Sequence, residues 1–147
     1  VLPAKRGRDM EVPLALLADY ANVTQEGKLN IMGIFGGILA PSFPTVHLAM
    51  RLVMNFEAGP AEKGTSKRIE VKLLDQDGGV RLGLSADILV PNEPLPLTVS
   101  INQIIEINHL QFNSPGDYSF DILINGETKK RLPFSVEQLP PAVQQAK

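Results

Sequence analysis

Between Ser114 and Gly126 the chain reads Ser-Pro-Gly-Asp-Tyr-Ser-Phe-Asp-Ile-Leu-Ile-Asn-Gly, an alternating run held between two turn signals. Tyr118, Phe120, Ile122 and Ile124 fall on one side of an extended chain, with Ser119, Asp121 and Leu123 on the other, because successive strand side chains point to opposite faces. Pro115 and Gly116 fit the central positions of a type II turn, where the second residue needs positive φ. A second strand follows, with Leu132, Phe134 and Val136 as its apolar set. This hairpin constrains the chain to β architecture.

The register of the hairpin follows from matching faces. A two-residue Asn125-Gly126 loop with regular pairing would set Phe120 against Arg131 and Tyr118 against Pro133. A change of one residue restores apolar-to-apolar pairing. A three-residue loop, Ile124-Asn125-Gly126, sets Tyr118 against Leu132 and Ile122 against Thr128. It places Gly126 at the left-handed position of a bulged turn.

The same period runs through most of the chain. Val46, Leu48, Met50, Leu52, Met54 and Phe56 alternate with His47, Ala49, Arg51, Val53, Asn55 and Glu57. Ile69, Val71 and Leu73 alternate with charged residues, and Asp75 to Gly79 turns the chain into Val80, Leu82, Leu84, Ala86, Ile88 and Val90. Pro91, Pro94 and Pro96 form a joint incompatible with central strand pairing. Beyond it Leu97, Val99, Ile101, Ile105 and Ile107 resume the pattern, and the parity then changes to Leu110 and Phe112, which indicates a bulge or a crossover. Val12 to Tyr20 fits helix or strand, and no stretch carries a clear helical period. Short strands with regular turns predict an all-β, two-sheet antiparallel sandwich of about eight strands, immunoglobulin-like or jelly-roll in connectivity. Residues 1–10 read as a solvated basic arm, 11–137 as the sandwich and 138–147 as a loose tail with Pro140-Pro141.

Composition removes several function classes. The chain has 147 residues and a net charge of −2, so no overall basic field favours nucleic acid. It has no cysteine, which removes disulfides, thiolate nucleophiles and cysteine metal sites and fits a reducing compartment. No apolar run reaches the roughly 18 residues of a membrane helix, and no signal-peptide core is present. A cytoplasmic protein without membrane or nucleic-acid partner is the expectation.

Candidate chemistry is sparse. Gly33-Ile34-Phe35-Gly36-Gly37 lacks the Lys-Ser/Thr and the helix that a phosphate loop needs. Asp75-Gln76-Asp77-Gly78 resembles the start of a calcium loop without its later ligands, and reads first as a turn. Asp75, Asp77 and Asp117 are nevertheless the candidate cation ligands, since loops of a sandwich can converge. His47 and His109 have no partner at metal-ligand spacing. His47 shares its strand face with Arg51 and Asn55, and these three form the candidate polar interaction strip. No nucleophile elbow is present, and no catalytic residue or cofactor is assigned. The scarcity of aromatic residues disfavours sugar platforms.

Two resemblances add to this. Gly116-x-Tyr118-x-Phe120 is similar to the immunoglobulin-type strand whose tyrosine lies two residues before the second cysteine and closes a corner through its hydroxyl. Phe120 stands at the cysteine position. The resemblance implies a structural role for Tyr118 and Gly116, with Gly126 closing the following turn. Leu16 to Phe35 (LLADYANVTQEGKLNIMGIF), Phe43-Pro44, Asp75 to Gly78 and the Pro115-Gly116-Asp117-Tyr118 hairpin together resemble an uncharacterised bacterial domain family of unknown function. That resemblance implies a bacterial source and carries no site residue. The leading expectation is a non-catalytic protein-interaction or assembly module, as a homo-oligomer or with a protein partner. A ligand- or cation-binding sandwich and an unrecognised hydrolase are the alternatives.

Overall fold

The computed structural model describes residues 9–141, which form two β-sheets. The strands are β1 (Glu11–Val23), β2 (Leu29–Phe35), β3 (Gly37–Ala40), β4 (Thr45–Ala58), β5 (Ser66–Leu74), β6 (Val80–Leu89), β7 (Val99–Phe112), β8 (Gly116–Ile124) and β9 (Glu127–Gln138), with a 3-10 turn at Pro60–Glu62. The four-stranded sheet has the order β2-β1-β4-β7 and the five-stranded sheet the order β3-β9-β8-β5-β6. The ambiguous Val12–Tyr20 stretch is strand. The pairs are antiparallel except β3 with β9, which is parallel, so the five-stranded sheet is mixed. Among the described residues no helix is long and apolar enough to cross a membrane.

The alternating residues build one core between the sheets. Leu17, Met50, Leu52, Met54 and Phe56 of the four-stranded sheet meet Ile69, Val71, Leu73, Phe120, Ile122 and Phe134 of the other, all buried. Met10 is 2% exposed and belongs to this core, so buried structure begins just before β1. The proline joint carries no strand, as its missing N–H donors require.

Strand β4 departs from the expected single apolar face. Met50 to Phe56 point inward on even positions, yet Val46 and Leu48 are 47% and 68% exposed. His47 lies opposite Leu110, which packs against the core, and its ring stands 5.9 Å from Phe35. The facing therefore flips between His47 and Met50, and His47 turns inward, away from the side of Arg51 and Asn55. Its partner strand flips with it. Ile107 and Phe112, of opposite parity, are both buried, and His109 between them has φ 56°. The β4–β7 register is the same on both sides of the flip, and only Leu48 and His109 drop out of the pairing, so the parity change is made at a left-handed residue without a shift of register.

The β8–β9 hairpin corrects the three-residue loop. Asn125 and Gly126 have φ 50° and 84°, and Ile124 pairs with Glu127, as in a two-residue type I′ turn. The slip comes one pair later. Leu123 faces Thr128 but Ile122 faces Lys130, which leaves Lys129 as the bulge residue. Phe120 then meets Leu132, and Tyr118 meets Phe134 instead of Leu132. Asn125 decides the loop, because its backbone N–H donates to the Arg68 carbonyl and its Oδ1 accepts from the Arg68 N–H, each at 2.9 Å. The Pro115-Gly116 segment is also not a hydrogen-bonded type II turn. Gly116 has φ 156° and begins β8 after a bend.

Candidate functional site

The corner before β8 is built around Tyr118. Its hydroxyl donates to the Ser114 carbonyl at 2.8 Å, and its ring packs edge-on to Phe112 at 5.0 Å and stacks on Phe134 at 5.8 Å. Gly116 leaves room for the neighbouring loop, since a Cβ there would lie 3.0 Å from Gln76 Oε1. That same oxygen accepts from the Asp117 N–H at 3.3 Å.

The fold thus brings the Asp75–Gly79 turn beside Asp117, where Asp75, Asp77, Arg81 and Asp117 line one small recess. Asp75 Oδ1 accepts from the N–H groups of Asp77 and Gly79 at 3.0 and 2.8 Å. Asp75 Oδ2 faces Arg81 Nε at 3.7 Å. This is the local bonding that favours aspartate in turns. Among the described residues no three His, Cys, Asp or Glu side chains converge to hold a metal.

His47, Arg51 and Asn55 do not form one open strip. Arg51 is bound to Glu106 at 2.6 Å and its guanidinium carbon lies 5.4 Å from the centre of the Tyr20 ring. Asn55 donates to Ser100 Oγ at 2.8 Å and to Asn102 Oδ1 at 2.7 Å. Between them Val53 is 0% exposed and clusters with Ala18 and Ala21, with Leu16, Leu29, Ile31 and Ile104 packed alongside. His47 Nε2 is buried with no hydrogen-bond partner.

The outer side of β1 and β2 is the more open surface. Ala18 pairs with Ile34 and Tyr20 with Met32, so these side chains share one face. Tyr20, Met32 and Ile34 are 45%, 65% and 64% exposed. The bond from Asn30 Nδ2 to Asn22 Oδ1 at 3.0 Å borders one end, and the Arg51–Glu106 pair borders the other. β2 is an edge strand of seven residues, Leu-Asn-Ile-Met-Gly-Ile-Phe, without charge or proline. Exposed apolar residues are often grouped in this way at contact sites of proteins, and among the described residues this edge lacks the charges and prolines that discourage pairing. The signal in the sequence was an uncharged stretch with apolar residues at both parities.

The geometry is that of an all-β, two-sheet protein with exposed apolar side chains grouped on the β1–β2 face. The chain belongs to the family of unknown function DUF6941, which matches residues 13–137. No curated protein matches it. Among solved structures it is similar to the alkylpurine DNA glycosylase AlkC of Pseudomonas fluorescens, bound to DNA containing an abasic-site analogue. The identity is 11% and the TM-score 0.51, over 91% of this chain and 32% of that one. The chain spans about a third of that structure's length, and the likeness is one of fold alone.

Proposed function

We propose that this protein is a non-catalytic interaction module with an immunoglobulin-like sandwich fold, working through the Tyr20, Met32 and Ile34 surface. The strand orders support the fold reading. β1-β4-β7 and β5-β8-β9 stand in the order of the A-B-E and C-F-G strands of that fold, and the Tyr118 hydroxyl reaches upstream backbone from the start of the F-equivalent strand. The connectivity favours this over a jelly roll. With no cysteine and no basic surplus, a cytoplasmic setting without nucleic acid is the accompanying reading.

The observation that carries the function is the exposure of three large apolar side chains on one face beside an uncharged edge strand. A second copy is the occupant to test first, because a single self-complementary patch closes under two-fold symmetry. Light scattering over a range of concentrations is expected to give a dimer for the native chain. The double variant Met32→Glu/Ile34→Glu is expected to be monomeric and cooperatively folded, with a denaturation midpoint that no longer depends on protein concentration. A native chain that stays monomeric and captures no protein, yet turns over a substrate in an activity screen, overturns the reading in favour of an enzyme.

A further inference from the structure

The two sheets do not meet on the side opposite β2. β6 and β7 are the last strands of their sheets, and between them lies a cleft of about 320 Å³. Its walls are aliphatic and aromatic: Phe56 and Ile105 from one sheet, Val71, Leu84, Ala86 and Ile88 from the other. Leu84 is 39% exposed although it points between the sheets. A pocket of this size and character falls in the range that proteins use for ligands.

Backbone exposure accompanies the apolar exposure. In an A-B-E-D sheet a further strand lies beyond the position that β7 occupies. Here the connection from Val90 to Thr98 carries three prolines and no strand. Among the described residues the outer edge of β7 is therefore unpaired along a strand of 14 residues. From Val99 to Ile105 that edge has no charge and no proline, and Glu106 is already engaged by Arg51 at 2.6 Å. Nothing among the described residues guards it in the manner of protected edges. A free amphiphile would fill the cleft and leave these backbone groups unpaired. An added strand satisfies both.

We propose that β7 accepts an extended segment of another polypeptide, which completes the four-stranded sheet as a fifth strand and places alternate aliphatic side chains in the cleft. This is β-augmentation, in which backbone bonds supply affinity and pockets for every second residue supply selectivity. Gln103 projects its amide into the cleft, where it meets a polar atom of the segment. This site lies at the opposite edge of the sheet from the Tyr20, Met32 and Ile34 surface, so either site fails or stands alone.

The test uses fluorescein-labelled eight-residue peptides that alternate valine or isoleucine with threonine. Each is paired with a control carrying proline at its centre. Fluorescence polarisation with the full chain is expected to show saturable binding that weakens at least tenfold with the proline control. Ala86→Phe, which fills the cleft without burying charge, is expected to abolish binding while the denaturation midpoint holds. Hydrogen exchange is expected to slow at β7 amides between Ser100 and Glu106 on binding. The proposal is overturned if no alternating peptide binds better than its proline control, or if binding leaves β7 amides unprotected, as a ligand confined to the cleft would. It is equally overturned if self-association of the native chain already protects them.

Discussion

Single side chains hold this molecule at its corners. Tyr118 is 5% exposed, and its hydroxyl is bonded to the Ser114 carbonyl. Tyr118→Phe keeps the ring packing and removes that bond, so urea denaturation is expected to show a loss of about 1–2 kcal/mol. An unchanged midpoint would mean that the corner is held by the rings alone. Lys129, the bulge residue of β9, reaches across to the other sheet, with Nζ 3.4 Å from Glu11, 3.9 Å from Asp9 and 3.6 Å from Glu127. Burial lowers its pKa, but the carboxylates of Glu11, Glu127 and Asp9, with the hydrogen bond to Glu11, outweigh that and hold it above the ordinary 10.5. A raised lysine pKa stabilises the fold below the unfolded-state value, and the contribution is lost as pH climbs through the folded one. The carboxylates are largely exposed, so the contribution is below about 1 kcal/mol. Lys129→Met is expected to lower the midpoint by a constant small amount from neutral pH to near 10.5, with the gap to the native protein closing above it. A gap that persists at higher pH would assign the effect to packing of the lysine stem instead.

At the scale of the element, β4 is the strand that the rest depends on. Met54 and Val53 are 1% and 0% exposed although they point to opposite faces. Val53→Asp and Met54→Asp are each expected to prevent cooperative folding, because either buries an unpaired charge. Val46→Asp and Leu48→Asp, on the same strand, are expected to leave the circular dichroism spectrum and midpoint nearly unchanged. Sensitivity at Leu48 equal to that at Met54 would contradict the flip at His47. Alternation in the sequence put all six even residues of this strand on one face. It could not say where along the strand the covering sheet begins and ends, or that a small apolar cluster forms on the far side.

For the whole molecule, stability follows depth within the sheets. β4 and β8 have paired strands on both sides and hold Met50, Leu52, Phe120 and Ile122, each 0% exposed. β2 and β6 are edges, and most of their residues are exposed. Native-state hydrogen exchange is expected to be slowest in β4 and β8, near the global unfolding limit, and fastest in β2 and β6. Protection of β2 that rises with protein concentration would locate the self-association surface independently of mutation. Uniform protection across both sheets would refute a graded structure.

The sequence by itself determined that the fold is built of β-strands, with Val12 to Tyr20 left open between helix and strand, where Tyr118 and Phe120 stand in their strand, and that Asp75 opens a turn. Each of these rests on period-2 alternation or on the local backbone chemistry of Pro, Gly, Asn and Asp, which act within a few residues. It also determined that the last hairpin needs one extra residue to bring apolar faces together. Only the tertiary structure placed that residue at Lys129, because the choice was made by Asn125 docking on Arg68, 57 positions earlier in the chain. The parallel pairing of β3 with β9, the inward turn of His47 and the exposure of Tyr20, Met32 and Ile34 were decided in the same way. Each depends on which strand lies beside which and on how far one sheet extends over the other. Those contacts join residues far apart in the chain, and local alternation carries no record of them.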